Sequence, residues 1–450
     1  MLNSLCVPSN NEGRGSHKRQ WKKLKHAIKE LLRPFYTRHI NQVLARQVTY
    51  TPYLPDEKIR IIFLFQIPSF WPSWDTVLEA LRKNPEVDIR VILFDNPVRE
   101  IEQIKGAEAF LRQIDVEYVN YNDFDLKAFQ PHIIVYQTPY DRQHRPRYLH
   151  AHWMRNRGYR VVYIPYGIEI TKTARSVQEH FQNTVVKSAW RVYTFSDAMR
   201  EDYLSYLAPG VVRVLGHPKF DKLYKGASSI CNNELISRAN GRRIVLWKIH
   251  FPFSIFDGGK EVLVTPDINE YAAFSEMLDQ FSDLFFFVMP HPKFMEMSKK
   301  SLRPDIENAA ERILSNVMSS DNAYLFEDHD YRPALACADC FIMDRSAVMI
   351  EAGVTGKPIF YMSSKELFEP LSYAVEAIVL SYYQGNKADH IFRFIEMFRK
   401  GLDPKRAERL EMVRKGIPFL DGNSGNRIAL DMIEGVKGEK GPKDIGFISF

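Results

Sequence analysis

Strands alternating with helices along most of the chain predict an α/β protein. They form two Rossmann-like domains in tandem, doubly wound and mainly parallel. Three stretches carry this reading. Ile59–Gln66, IRIIFLFQ, is almost continuously apolar, as a strand buried on both faces of a parallel sheet must be. A second alternating series begins at Arg243, after a polar segment. Asp339–Met362, DCFIMDRSAVMIEAGVTGKPIFYM, reads as strand, tight turn, helix and strand, with its polar residues at a strand's carboxyl end.

The 450 residues are 45% hydrophobic and 26% charged, enough for two or three domains with full cores. No run of 18 apolar residues is present, so no membrane-spanning helix is expected. The start, MLNSLCVPSNNEGRGSHKRQ, lacks the apolar segment of a secretory signal, and Met1–Gly15 has no periodicity. The four cysteines are Cys6, Cys231, Cys337 and Cys340. The pair Cys337 and Cys340 has no second pair to complete a zinc set and runs into an apolar strand. These cysteines read as core thiols in a reducing compartment.

The net charge of +6 is unevenly spread. Lys18–Lys29, KRQWKKLKHAIK, carries Trp21, Leu24 and Ile28 at helical spacing, continued by Leu31 and Leu32. This basic amphipathic helix suits an anionic membrane surface. A polyanion, or a solvated helix packed on the body, is the alternative. Residues 1–56 are therefore expected to form an N-terminal extension.

The first domain is expected over 57–215. After Ile59–Gln66 comes a loop rich in proline and aromatics, Ile67–Asp75. It contains Ser69, Trp71 and Trp74, and its Ser73 or Asp75 can cap a helix over Thr76–Arg82. Strands are predicted at Ile89–Phe94, Val116–Asn120, His132–Gln137, Arg160–Pro165 and Trp190–Phe195. Helices are predicted at Val98–Gln113, Arg145–Arg157 and Asp197–Leu207. A linker is expected over 216–241. In the second domain, 242–450, strands are predicted at Arg243–Trp247, Leu284–Met289 and Ala323–Phe326, ahead of the Asp339–Met362 unit. Helices are predicted at Ile268–Gln280, Pro304–Met318, Ala388–Lys400 and Pro404–Gly416.

Polar clusters follow several of these strands. They are Tyr166-Gly167-Ile168-Glu169, Lys248-Ile249-His250, Pro290-His291-Pro292-Lys293 and Asp344-Arg345-Ser346. Open α/β sheets bind ligands at this edge. Histidine and lysine there supply donors and positive charge for a diphosphate, and Ser346, at or next to a helix N-cap, lies among free N–H groups. Glu351, five residues on, either faces a ribose or is ordinary helix surface. The sequence has no Walker loop, no G-x-G-x-x-G after its first strand and no G-x-S-x-G elbow. It shows no metal constellation of good spacing, which leaves metal dependence open, and no nucleic-acid recognition module, so nucleic acid is not expected as a partner.

Six segments in order resemble one family. They are Gly216-His217-Pro218-Lys219-Phe220-Asp221, Leu246-Trp247-Lys248-Ile249-His250, His291-Pro292, Asp344 through Glu351, Gly356-Lys357-Pro358-Ile359, and Asp421-Gly422-Asn423-Ser424-Gly425-Asn426-Arg427. Together with the Tyr166-Gly167 position the motifs cover roughly residues 160–430. They resemble the CDP-glycerol glycerophosphotransferases, bacterial enzymes that build teichoic-acid-like and capsular polymers on a GT-B fold. Three positions depart from that family. Tyr166-Gly167 stands where it usually carries His-Gly, Arg345 replaces an aromatic, and Ala347 replaces a second serine.

The resemblance implies a transferase that moves a glycerol phosphate, another polyol phosphate or a sugar. The donor would be a nucleotide diphosphate and the acceptor a surface polymer or a lipid-linked molecule. Alternatives are a GT-B sugar transferase or nucleotide-sugar epimerase, and an inactive nucleotide-binding scaffold. The implied donor site is Lys248, His250, His291, Lys293, Asp344, Arg345, Ser346, Glu351, Ser424 and Arg427. The acceptor would meet Ser69, Trp71 and Trp74, with Asp75, Tyr166 and Glu169 as the catalytic set. Asp75 or Glu169 would be the base, Asp75 being preferred because first-strand loops point into the cleft. No cofactor is required. The expected location is the cytoplasm, peripheral on the inner membrane face.

Overall fold

The structure is a computed structural model, and it describes residues 38–94, 101–225, 230–231, 233–257, 260–367 and 369–438. The basic stretch Lys18–Lys29, Met1–Gly15 and Cys6 lie outside these. Residues 38–44 are helical and belong to a small unit, 1–48. The chain from Thr49 onward forms a second, much larger unit.

The larger unit contains two parallel sheets. The first comprises β1 (Ile59–Phe65), β2 (Val87–Leu93), β3 (Val119–Asn120), β4 (Ile133–Tyr136), β5 (Arg160–Tyr163), β6 (Ala189–Thr194) and β7 (Val212–Val214). Its order is β3-β2-β1-β4-β5-β6-β7. The second begins with β8 (Arg243–Ile249), and a separate hairpin, β9 (Ser254–Asp257) and β10 (Lys260–Leu263), follows it. It continues with β11 (Leu284–Pro290), β12 (Ala323–Leu325), β13 (Cys340–Met343), β14 (Ile359–Met362) and β15 (Tyr383–Gly385). Its order is β12-β11-β8-β13-β14-β15. Counted within each domain, the first sheet runs 3-2-1-4-5-6-7 and the second 3-2-1-4-5-6, so each reverses direction beside its first strand. The resulting crevices lie between β1 and β4 and between β8 and β13.

The central strands pair apolar residues on both sides. Ile61 lies between Ile89 and Ile133, and Leu246 between Phe287 and Phe341. One core layer runs without interruption from Ile62 and Leu64 of the first sheet, through Phe220, to Leu246 and Phe341 of the second. The two domains therefore share a buried apolar seam.

Several elements differ from expectation. The helix expected over Arg145–Arg157 is broken into Asp141–His144, a 3₁₀ turn Arg147–Leu149, and Ala151–Asn156. Pro146 causes the break by holding Arg145 extended. The hairpin, β7 and β15 were not anticipated, being short or on a sheet edge. The expected linker contains the helices Pro218–Tyr224 and Asn233–Ala239.

The helix Ser424–Gly438, the last among the described residues, was also unanticipated. Its Ile428, Ala429, Met432, Ile433 and Val436 fill the first domain's core against Val77, Leu78 and Leu81. Cys231 and Cys337 are joined in a disulfide. The free-thiol reading survives only for buried Cys340 among the described residues, and the argument for a reducing compartment falls with it. Among the described residues no helix is long and apolar enough to cross a membrane.

Candidate functional site

The two crevices are closed off from below in the same way. In the first domain Gln137, just past β4, accepts hydrogen bonds from the N–H groups of Gln66 and Ile67 at 3.3 and 3.1 Å. In the second, Asp344, just past β13, accepts the N–H of His250 at 2.8 Å and the hydroxyl of Tyr271 at 3.2 Å. Each side chain satisfies the backbone where the first strand ends and so fixes the loop that leaves it.

Around Asp344 stand most of the expected donor-site residues. Lys248 is buried, its ammonium donating to the carbonyls of Ile249 and Met289 at 3.3 and 3.2 Å. Burial lowers Lys248 to about 8, against the pull of Asp344. Burial raises Asp344 to about 6. His250 and His291 are paired, with ring centroids 5.2 Å apart. Burial holds them down to about 3 and about 2, so both rings are neutral at pH 7. Their partners fix their tautomers. His250 Nδ1–H donates to the Phe251 carbonyl at 2.8 Å, leaving Nε2 as an acceptor. His291 Nδ1 accepts the Lys293 N–H at 3.0 Å, leaving Nε2–H as a donor. The expectation that the histidines bring positive charge is thus corrected. That charge comes from Arg345, exposed Lys293 and the mostly protonated Lys248. Arg345 is oriented by an ion pair with Glu369. Ser346 lies just before the short helix Val348–Val354, whose N-cap is Ala347.

Three other expected donor residues lie elsewhere. Glu351 is 0% exposed and bound to Lys219 Nζ at 3.0 Å and the Tyr331 hydroxyl at 2.7 Å. It faces neither ribose nor solvent but ties the second domain to the linker helix. Ser424 and Arg427 belong to the joint where the chain re-enters the first domain. Asp221 accepts the N–H groups of Ser424 and Gly425 at 3.0 and 2.8 Å and the Thr76 hydroxyl at 2.9 Å. Arg427 donates to the Leu215 carbonyl at 2.9 Å. Gly216 has φ +88°, and a Cβ there would stand 2.3 Å from the Ser424 hydroxyl. These glycine- and aspartate-rich motifs therefore make a domain joint, not a ligand cradle.

Across the cleft, the first domain presents the loop after β5. A Cβ on Gly167 would lie 3.6 Å from Ala347 Cβ, which places Tyr166-Gly167 directly against the turn carrying Arg345 and Ser346. Phe253 of the second domain has Arg175 of the first on one guanidinium contact and Arg345 on another, each 5.1 Å from its ring centre. Thr171 pairs with Leu371, and the Lys172 and Ser372 N–H groups cross between domains to the carbonyls of Pro370 and Ile170.

The aromatic loop after β1 divides its residues by face. Trp71 and Trp74 turn inward to Phe65 and Phe63, which corrects their expected place on the cleft wall. Ser69 and Phe70 are half-buried, and Phe70 turns the other way to stack on Tyr166 at 4.2 Å. Asp75 is also corrected. It starts the helix Asp75–Arg82 and is buried between Arg332 Nη1 at 2.6 Å and Lys222 Nζ at 2.9 Å, so it holds two domains together instead of facing an acceptor. Burial pushes the Tyr166 hydroxyl up to about 12, so it stays protonated at neutral pH.

Sequence reasoning missed Tyr140 and His180. The Tyr140 hydroxyl lies 3.1 Å from that of Tyr166 and 3.3 Å from His180 Nε2, which pairs with Glu169 Oε2 at 2.8 Å. The strand-end rule applied to β4 points to Tyr140. His180 carries no such signal, lying on a single π-helical turn, Val177–Phe181.

One possible metal set exists among the described residues, Asp141, His150 and His152, with ligand atoms within 4.8 Å of one another. Asp141 is already satisfied by Arg145 at 3.0 Å and the Ala151 N–H at 2.9 Å. A cation there would have to compete with the guanidinium.

Two facing Rossmann-like domains, with the helix Ser424–Gly438 crossing back to the first, define a GT-B-type α/β architecture. No protein-family description and no curated protein matches the sequence. Solved structures do match in fold. S. aureus MnaA in complex with UDP is 14% identical at a TM-score of 0.59, covering 86% of this chain and 100% of that one. The UDP-GlcNAc 2-epimerase of Neisseria meningitidis bound to UDP-GlcNAc is 13% identical at 0.56, covering 83% and 100%. The wall teichoic acid polymerase TagF is 13% identical at 0.55, covering 94% and 98%.

Proposed function

We propose that the chain is a GT-B-type transferase. It takes a glycerol phosphate, another polyol phosphate or a sugar from a nucleotide-diphosphate donor to a surface-polymer or lipid-linked acceptor. The observation that carries this reading is the cluster of Arg345, Ser346, His291 and Lys293 at the second crevice, set against the Tyr166-Gly167 loop of the first domain. A diphosphate bound there meets a guanidinium, an imidazole N–H and lysine charge as charge builds on the leaving nucleotide. Neighbours in fold that are solved with UDP or UDP-GlcNAc, and TagF, support a nucleotide donor.

A thermal-shift screen of CDP-, UDP-, GDP- and CMP-linked donors tests the reading. A donor at 100 times its Kd stabilises the protein by about 2.7 kcal/mol. No shift with any of them would remove the proposal. The epimerase reading rests on the same fold likeness and is separated by product. A nucleotide sugar inverted at one carbon without any acceptor marks an epimerase, and a phosphodiester product marks phosphoryl transfer.

The basic stretch Lys18–Lys29 supports attachment to an anionic membrane face, each base contributing about 1 kcal/mol. Deleting Met1–Arg46 should release the protein from phosphatidylserine vesicles with nucleotide binding intact. Sedimentation of the truncated chain with the vesicles would assign attachment elsewhere.

A further inference from the structure

The first-domain side of the cleft holds a polar chain for which the sequence offered no clear role. Glu169 Oε1 is fixed by the Thr171 N–H and hydroxyl, both at 2.9 Å. Its Oε2 meets His180 Nε2 at 2.8 Å, with side-chain exposures of 12% for Glu169 and 21% for His180. Burial raises the Glu169 carboxyl, but the hydrogen bond and charge of His180 outweigh this and hold it below the usual range. A carboxylate at Nε2 fixes the tautomer with the proton on Nε2, so the lone pair sits on Nδ1. Tyr140 and Tyr166 flank the imidazole, and burial pushes both hydroxyls upward, so they stay protonated. The histidine's own segment reaches the second domain through Arg175 against Phe253.

We propose that His180, oriented by Glu169, is the general base that accepts the acceptor's hydroxyl proton. This rests on the transfer reading above. The acceptor oxygen forms a bond to the transferred phosphorus or anomeric carbon as its proton passes to His180 Nδ1. The bond from that atom to the nucleotide's phosphate oxygen breaks, and its electron pair leaves with the nucleotide, beside Arg345 and Lys293. The imidazolium is balanced by Glu169 and gives its proton to water after product leaves. Tyr140, whose hydroxyl lies 3.3 Å from Nε2, and Tyr166, whose hydroxyl lies 3.1 Å from that of Tyr140, are positioning residues that hold the imidazole. The base has thus moved from the His-Gly position, occupied here by Tyr166, to a turn further along the same loop.

The test uses the full chain and His180→Asn, Glu169→Gln and Tyr166→Phe variants. Release of CMP from CDP-glycerol and of UDP from UDP-GlcNAc is followed with glycerol as the acceptor probe. His180→Asn should keep the donor-induced thermal shift and the donor KM while kcat falls about 10²–10⁴-fold. Glu169→Gln should lower kcat less, because glutamine still accepts from Nε2–H without balancing the imidazolium. Tyr166→Phe, which removes the hydroxyl partner of Tyr140 and keeps the ring, should lower kcat less than His180→Asn and leave the donor KM unchanged. Wild-type kcat in His180→Asn overturns the assignment, as does a wild type that binds donor yet releases nothing. Nitrogen-15 spectra at pH 8 judge the dyad apart from activity. The Nε2–H tautomer supports it, and a neutral His180 protonated on Nδ1 overturns it. A wild type that binds no nucleotide removes the donor reading, and the spectra then decide the dyad alone.

Discussion

Asp75 of the first domain and Arg332 of the second form an ion pair of 2.6 Å in which neither side chain is more than 3% exposed. Arg332 is further satisfied by Asp330 at 2.7 Å, and Asp75 by Lys222. Removing one charge from a buried pair strands the other and typically costs about 3–5 kcal/mol. Asp75→Asn should therefore lower stability by about 3 kcal/mol, the low end of that range, because Asp330 still faces the arginine. Urea unfolding measures this. Nucleotide release at saturating donor should stay near wild type, and a hundredfold fall with normal stability would return Asp75 to the catalytic set.

At the second crevice, His291→Ala removes a neutral donor and Arg345→Gln removes a charge while leaving Glu369 unpaired. A hydrogen bond to a charged phosphate is worth about 1.5–3 kcal/mol. Each variant should weaken nucleotide binding by about 10–150-fold in calorimetry without loss of fold. Arg345→Gln should also flatten the dependence of affinity on salt. Unchanged affinity in both would place the nucleotide elsewhere.

His217 gives a pH prediction. It caps the linker helix by accepting the Lys219 N–H at 3.3 Å and donates Nε2–H to the Pro165 carbonyl at 2.8 Å. Burial, with the Lys219 charge, lowers it to about 3. An unfolded imidazole takes a proton near 6.5. Between these values the unfolded chain binds more protons, so stability is full above pH 6.5 and falls as pH drops. The slope is up to about 1.4 kcal/mol per pH unit for each such histidine. His250 and His291 act in the same sense. Asp344, raised to about 6, acts in the opposite one, its contribution being present below about 4 and lost as pH rises to 6. His217→Gln should make urea-derived stability less steep between pH 4 and 6.5, and an unchanged slope would mean the ring is not held neutral.

The Cys231–Cys337 bond spans 106 residues. On the chain-entropy account, closing a loop of this size stabilises by about 4.7 kcal/mol, and losing a native disulfide costs about 2–5 kcal/mol. Cys231→Ser should fall in that range under non-reducing conditions. A peptide map without reductant should show the two segments linked and Cys340 free.

What the sequence revealed and what it concealed follow from the reach of each signal. The central strands were legible because burial on both faces leaves a continuous apolar run, as in Ile59–Phe65 and Leu284–Met289. The edge strands β7 and β15 have three residues each, too few for a pattern. The clusters at His250, His291 and Asp344 followed from one rule, that ligands gather at strand ends. Trp71, Trp74, Asp75 and Glu351 were misplaced because the sequence alone does not say which way a side chain turns from its loop or helix. The partners of Ser424 and Asp221 are some 200 residues apart, and no local pattern reports such a contact. His180 was hidden for the opposite reason, since it lies near Glu169 in sequence but on a turn with no period.

The Ser424–Gly438 helix bears on how the protein is made. Chains emerge amino end first, at about 5–20 residues per second. The helix Asp75–Arg82 leaves the ribosome on the order of 20–70 s before the segment that covers it. In that interval Val77, Leu78 and Leu81 lack the side chains of Ile428, Met432 and Ile433. The second domain completes its sheet with β15, while the first is still waiting for its last piece. The domain that starts first in synthesis is thus the last to close, and the nascent chain carries an uncovered apolar face for most of its translation.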